Sequence, residues 1–133
     1  MTDDEQPVWI ASRVLSLGSN AGDEYHFRLA MPVCIDRSYW ICRYDYRGPN
    51  HTGKDAGYGD DSLQAMLAAI QDIRKVIDEV FEGKLYWGGT PHSGVPVFVP
   101  WFLGDGQTKD LESYIRSETT SRMQHFGYGR RKD

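Results

Sequence analysis

The sequence predicts an α+β domain: an antiparallel sheet of about four strands with two helices packed on it, in the order β-β-β-α-β-α. Two stretches of the first half, "EYHFRLAM" and "SYWICRYDYR", alternate apolar and polar residues with the period of a half-buried strand. One stretch in the middle, "DDSLQAMLAAIQDIRKVIDEVFEG", repeats apolar residues at three- and four-residue steps, the period of a helix. The strand-like segments follow one another through short turns before that helix begins, and short turns join antiparallel strands.

The first strand is "VWIASRVLSL", Val8 to Leu17, apolar and β-branched, ending at the turn cluster "GSNAGD". The second carries Tyr25, Phe27, Leu29 and Met31 on one face and Glu24, His26 and Arg28 on the other. Pro32 ends its regular pairing or places it at an edge. The third carries Trp40, Cys42, Tyr44 and Tyr46 against Tyr39, Ile41, Arg43 and Asp45. If the chain turns near Arg37, Cys34 faces Trp40 and the two cysteines are not opposite each other. Both are expected to be free thiols on buried strands, acting as small apolar residues. Gly48 to Gly59 reads as a mobile polar loop. The main helix presents Leu63, Met66, Leu67, Ile70, Ile73, Ile77, Val80 and Phe81 as one stripe. Asp61 is its N-cap, Gln64 its capping-box partner and Gly83 its C-terminal stop. Lys84 to Trp87 forms a short strand stopped by Gly88 and Gly89. The Pro- and Gly-rich "TPHSGVPVFVPWFLGDG" is an extended edge or ordered loop. A second helix, capped by Thr108, has Leu111, Tyr114, Ile115, Met123 and Phe126 on one side, with Glu112–Arg116 and Glu118–Arg122 as i,i+4 pairs. The whole of 1–133 reads as one domain with flexible ends near 1–6 and 127–133.

With 8 Tyr, 5 Phe and 4 Trp in 133 residues, the chain can bury a core without disulfide or metal staples. It shows neither an apolar leader nor a run near the ~20 residues of a membrane helix, so a cytoplasmic protein without a membrane partner is expected. Residues 1–47 carry a net −2, residues 48–82 a net −4 and residues 83–133 a net +2. An acidic middle disfavours nucleic acid, whose phosphates need a basic face.

The segment "GPNHTGKD", Gly48 to Asp55, fits seven positions of a phosphate-binding loop. Three requirements fail. Asp55 puts a carboxylate where the motif needs a hydroxyl. The helix begins only at Asp61, after "AGYG". The setting is antiparallel, whereas the motif belongs to parallel βαβ folds. Of the four histidines, His26 alternates outward, and His51 and His92 lie in Gly- and Pro-rich loops without metal-ligand spacing; His125 is near the end of the second helix. "HSGVP" around Ser93 is not a nucleophile elbow. No cofactor and no metal is expected. Asp72, Asp78, Glu79 and Glu82 lie off the apolar stripe, either as a solvated face or as a surface for a basic partner. Trp87, Phe98, Trp101 and Phe102 crowd one segment, where most should be core and one or two should be offered to a partner.

The run "DSLQAMLAAIQDI", then "LYWGG", then "GVP", resembles a family of small bacterial single-domain proteins of unknown function over about residues 24–103. That resemblance implies no catalytic residues. As a small acidic α+β chain without an active-site motif, the protein also resembles, in class, the immunity proteins of bacterial toxin systems. The resemblance implies a non-enzymatic domain that neutralises a cognate toxin by occluding its active site. The partner surface expected is Asp55, Tyr58, Asp60, Asp61, Trp87, His92 and Trp101. The alternative is a small-ligand-binding protein or enzyme with a pocket between sheet and second helix, lined by Tyr44, Tyr46, His51 and His92. A third reading is a homodimer formed through the edge strand that carries Pro32.

Overall fold

The computed structural model describes residues 6–18, 23–98 and 104–125. The chain divides into two compact units, 1–97 and 98–133. The first contains β1 (Trp9–Leu17), β2 (Glu24–Ala30), β3 (Val33–Asp36), β4 (Tyr39–Arg47), β5 (Thr52–Gly59), α1 (Ser62–Val80) and β6 (Leu85–Tyr86); the second contains α2 (Asp105–His125). The architecture is α+β with a wholly antiparallel sheet, but the sheet has six strands rather than about four. The element order is β-β-β-β-β-α-β-α.

The two additional strands are β3 and β5. β3 continues the line of β2: Leu29 pairs with Tyr44 and Val33 with Ile41, on the same edge of β4. The register slips by one residue between those pairs, across Met31 and Pro32. Pro32 lacks an N–H and therefore suits a break in the ladder. The β3–β4 turn sets Cys34 opposite Trp40, as a turn near Arg37 predicts. Cys34 is exposed, however, and only Cys42 is buried.

β5 replaces the mobile loop expected over Gly48–Gly59. From Thr52 to Gly59 it pairs with β4 residue by residue, so Lys54 lies opposite Asp45 and Asp55 opposite Tyr44. Its inward face carries Gly53, Asp55, Gly57 and Gly59, and for this reason it lacks the apolar alternation that marks a strand. These glycines are spacing devices. A Cβ on Gly57 would run into the backbone of Ala65 and Ala69, and one on Gly59 would come within 2.6 Å of the Ala65 nitrogen.

α1 therefore lies very close to β5 and β4, and only small side chains fit between. Its buried residues are Ala65, Ala69, Ile73 and Ile77. Leu63 and Leu67, part of the predicted stripe, are turned aside and exposed. The cap forms as expected: the Asp61 carboxylate accepts from the Gln64 N–H at 2.7 Å. The Gln64 side chain in turn accepts from Asp60 N–H at 2.6 Å, one residue earlier than the standard box. Such a cap contributes about 1 kcal/mol. The helix ends at Phe81, and Glu82 and Gly83 both adopt left-handed backbone.

The core lies between α1 and the inner sheet face, built on Leu15, Tyr25, Phe27, Leu29, Cys42 and Tyr44, and closed by Phe81, Leu85 and Val95. β6 is shorter than the strand expected over 84–87; it adds Leu85 and Tyr86 to the end of β1. Across the sheet the strands run β5–β4–β2–β1–β6.

In the second unit, α2 starts at Asp105, three residues before the predicted cap. Thr108 lies inside the first turn, its N–H donating to Gly104 at 2.9 Å. Glu118 and Arg122 pair at 3.1 Å. Leu111, Tyr114, Ile115 and Met123 are exposed. Phe126, Trp101, Phe102 and the ends expected to be flexible, apart from Gln6, lie outside the described residues. None of the described helices is long and apolar enough to cross a membrane.

Candidate functional site

The phosphate-loop pattern has no structural counterpart. Gly53 and Lys54 lie inside β5, and their backbones face Tyr46 and Asp45 of β4. A phosphate loop needs its amides free and a helix starting at the lysine.

The residues expected at a partner surface fall into two groups. Asp55 and Tyr58 lie on β5, and Asp60 and Asp61 follow directly at the start of α1; all four are exposed. Among the described residues β5 pairs only with β4, so its outer edge is a free strand edge. Tyr58 stacks on Tyr39 with ring centroids 5.7 Å apart. Trp87 and His92 lie with β6, at the other edge of the sheet. Four strand spacings of about 4.8 Å set the two edges roughly 19 Å apart across the sheet, and the register offsets the two groups along the strands as well. Trp101 lies outside the described residues.

Around Trp87 the chain makes two tight features. Trp87 and Thr90 exchange backbone hydrogen bonds of 3.0 Å around Gly88 and Gly89, both with positive φ. This is the two-residue hairpin that such glycines favour. The chain then crosses from β1 to α1 as a strap, Ser93 to Val95. The Arg13 Nη1 donates to the Ser93 carbonyl at 3.1 Å, and the Arg74 Nη1 to the Val95 carbonyl at 2.6 Å. Within the strap, His92 Nδ1 accepts from Gly94 N–H at 2.7 Å, and Ser93 Oγ accepts from Val95 N–H at 3.2 Å. The Arg13 guanidinium also lies 3.6 Å over the Trp87 ring, a cation–π contact. Ser93 is thus buried and employed in the turn, and His92 is a turn-forming acceptor.

The four residues of the alternative pocket have different neighbours. Tyr46 and His51 both meet Phe81 edge-on, at 6.2 and 5.2 Å. Tyr44 is buried opposite Asp55. His92 belongs to the strap. Next to Tyr44, burial and the Asp55 carboxylate raise the pKa of Asp72, with Lys75 opposing. Burial, helped by Asp72, Asp55 and Tyr46, raises that of Tyr44. Cys42, whose Sγ donates to the Ala30 carbonyl at 3.2 Å, has its thiol pushed up to about 11 by burial. It is a packed thiol and not an activated nucleophile. Among the described residues no three His, Cys, Asp or Glu side chains converge as a metal site requires.

Arg13, Arg74 and the strap were not legible as site residues. The one available signal is Arg13 itself, a lone cation in the apolar run "VWIASRVLSL".

No curated protein and no solved structure matches the chain. Residues 11–97 match the model of a family described as a domain of unknown function (DUF6968), from β1 to just beyond the strap. That span covers more than half of the sequence and coincides closely with the first compact unit, and the chain belongs to this family.

Proposed function

We propose that this protein is a non-enzymatic binding domain that docks on a cognate protein toxin through the acidic edge formed by β5 and the start of α1. One observation carries this reading: a strand edge unpaired among the described residues continues into exposed Asp60 and Asp61 and bears exposed Tyr58 and Asp55. A free edge offers main-chain donors and acceptors for strand addition. The carboxylates steer a basic partner, and the stacked Tyr39–Tyr58 pair supplies rigid aromatic area to bury. Asp55, Asp60 and Asp61 outnumber Lys54 on this stretch and set the sign of the edge.

The two groups lie on opposite edges of the sheet, and only the β5 group is contiguous in sequence and along one strand edge. The β5 edge is therefore the primary surface, with Trp87 and His92 outside it.

The test is growth rescue. Reading frames adjacent to the gene are expressed singly in a sensitive host, and any toxic one is co-expressed with this protein. Rescue is expected, and Asp55→Lys with Asp60→Lys should abolish it while far-UV circular dichroism and the melting temperature stay close to wild type. Asp61 is left intact because it caps α1. Absence of any toxic neighbour, or rescue indifferent to both charge reversals, overturns the reading.

A further inference from the structure

A cavity of about 260 Å³ lies between α1, β1, β2 and the strap, on the inner face of the sheet and within the first unit. Ala11, Phe27, Leu29, Ile70, Ile73 and Val95 make its apolar wall. It is distinct from the acidic edge and shares one ring with the aromatic group around Phe81, since Phe27 meets Phe81 edge-on at 6.2 Å.

Arg13 and Arg28 line this cavity, and Arg74 holds the Val95 carbonyl at its wall; the three differ in one respect. Arg28 is paired with Asp45, its Nε 2.9 Å from Oδ1. Arg74 is paired with Asp78, its Nε 3.0 Å from Oδ2. Arg13, which lines the cavity, has no carboxylate partner among the described residues. It is held by the Ser93 carbonyl and the face of Trp87. A guanidinium has five N–H donors in a rigid fork, and the Ser93 carbonyl takes one Nη1 hydrogen. A half-buried cation that none of the described carboxylates pairs leaves room for a counter-ion at this apolar cavity, and a carboxylate matches its fork in shape and sign.

The strap is built to keep that cation in place. Gly94 has a positive φ of 74°, and a Cβ there would strike the Trp87 ring and the Arg13 guanidinium. Arg13 is thereby fixed between ring and strap before any ligand arrives, which reduces the ordering cost of binding.

We propose that this cavity binds a small monocarboxylate with an apolar body, its acid group on Arg13 and its body among Phe27, Leu29, Ile70 and Ile73. The volume is just below the range of about 300–1,000 Å³ usual for small-molecule sites. This favours a body the size of a single aromatic ring or a short acyl chain.

The experiment titrates the full-length protein with phenylacetate and with 2-phenylethanol, its neutral analogue, following backbone amide shifts. Phenylacetate is expected to move the amides of Leu29, Ile73 and Val95 and to bind at least about tenfold more tightly than the alcohol, the worth of a charge-assisted hydrogen bond. Arg13→Met should remove that preference and leave the affinity for the alcohol unchanged. Ala11→Leu, at an exposed position on the cavity wall, should block both probes without unfolding the protein, and it keeps the test decisive if Arg13→Met does not fold. Equal affinity for acid and alcohol, no shift at those amides at millimolar probe, or binding that survives Ala11→Leu would each overturn the proposal.

Discussion

Asp72 stands on α1 within electrostatic reach of Asp55 on β5 and of the Tyr44 phenol, partly withdrawn from water. Burial first, and Asp55 second, make its ionised form unfavourable in the folded protein, so its folded pKa lies above the ordinary carboxylate value. The folded state then binds the Asp72 proton more tightly than the unfolded state does. Stability associated with this group is present below the unfolded pKa of about 3.9 and falls as pH rises through the higher folded value. Asp72→Asn should therefore stabilise the protein at pH 7, by a few tenths to about 1 kcal/mol as for other close like charges. The gain should shrink toward zero at pH 3, where the raised pKa of Asp72 leaves its carboxyl protonated in the folded protein. Urea midpoints at the two pH values measure it. A variant less stable than wild type at pH 7 would mean that the Asp72 carboxylate is held by favourable hydrogen bonds.

Elements differ in how much of their making is local, and β5 and α1 show both extremes. α1 was legible because its period, its Asp61 cap and its Gly83 stop all lie within the segment itself. β2 and β4 were legible because their inward residues, Tyr25, Phe27, Cys42 and Tyr44, are large enough to show alternation. β5 was silent because its inward positions are largely glycines, chosen for what lies above them on α1. The same contact explains why Ala65 and Ala69, and not Leu63 and Leu67, are buried. The site divides in the same way. Asp55, Tyr58, Asp60 and Asp61 are neighbours in sequence and stay together on one edge. Trp87 and His92 join the opposite edge because strand order is set by long-range pairing. Arg13 acquires its neighbours Trp87 and Ser93 only through that pairing. A direct consequence is that Gly57→Ala should destabilise. Elsewhere such a change gains about 0.4–1 kcal/mol by stiffening the unfolded chain. Here the new methyl meets helix backbone, which cannot rotate away, and overpacking of that kind costs about 1–3 kcal/mol. Lys54→Ala, exposed on the same strand, should stay within about 0.5 kcal/mol of wild type. Urea denaturation of both variants separates the helix contact from any general intolerance of β5.

For the molecule as a whole, the buried core side chains of the described residues all fall between Leu15 and Val95, and the family match ends at Val97. The strap is tied to the elements of that core through Arg13 and Arg74. A chain ending after Val97 keeps every one of those contacts, and its length is within the range of domains that fold alone. Residues 1–97 should therefore unfold in one cooperative transition, with calorimetric and van't Hoff enthalpies equal. A broad transition, or one whose enthalpies disagree, would show that the core is incomplete without residues 98–133. The fragment also separates the functional readings from each other. The acidic edge of β5 and the cavity beside Arg13 both lie inside it, whereas Trp101 does not. A folded 1–97 fragment should rescue growth as the full chain does and bind phenylacetate with the same preference over the alcohol. Rescue lost with the carboxylate preference retained would place part of the partner surface in residues 98–133, with Trp101 the first residue to replace by alanine in the full chain.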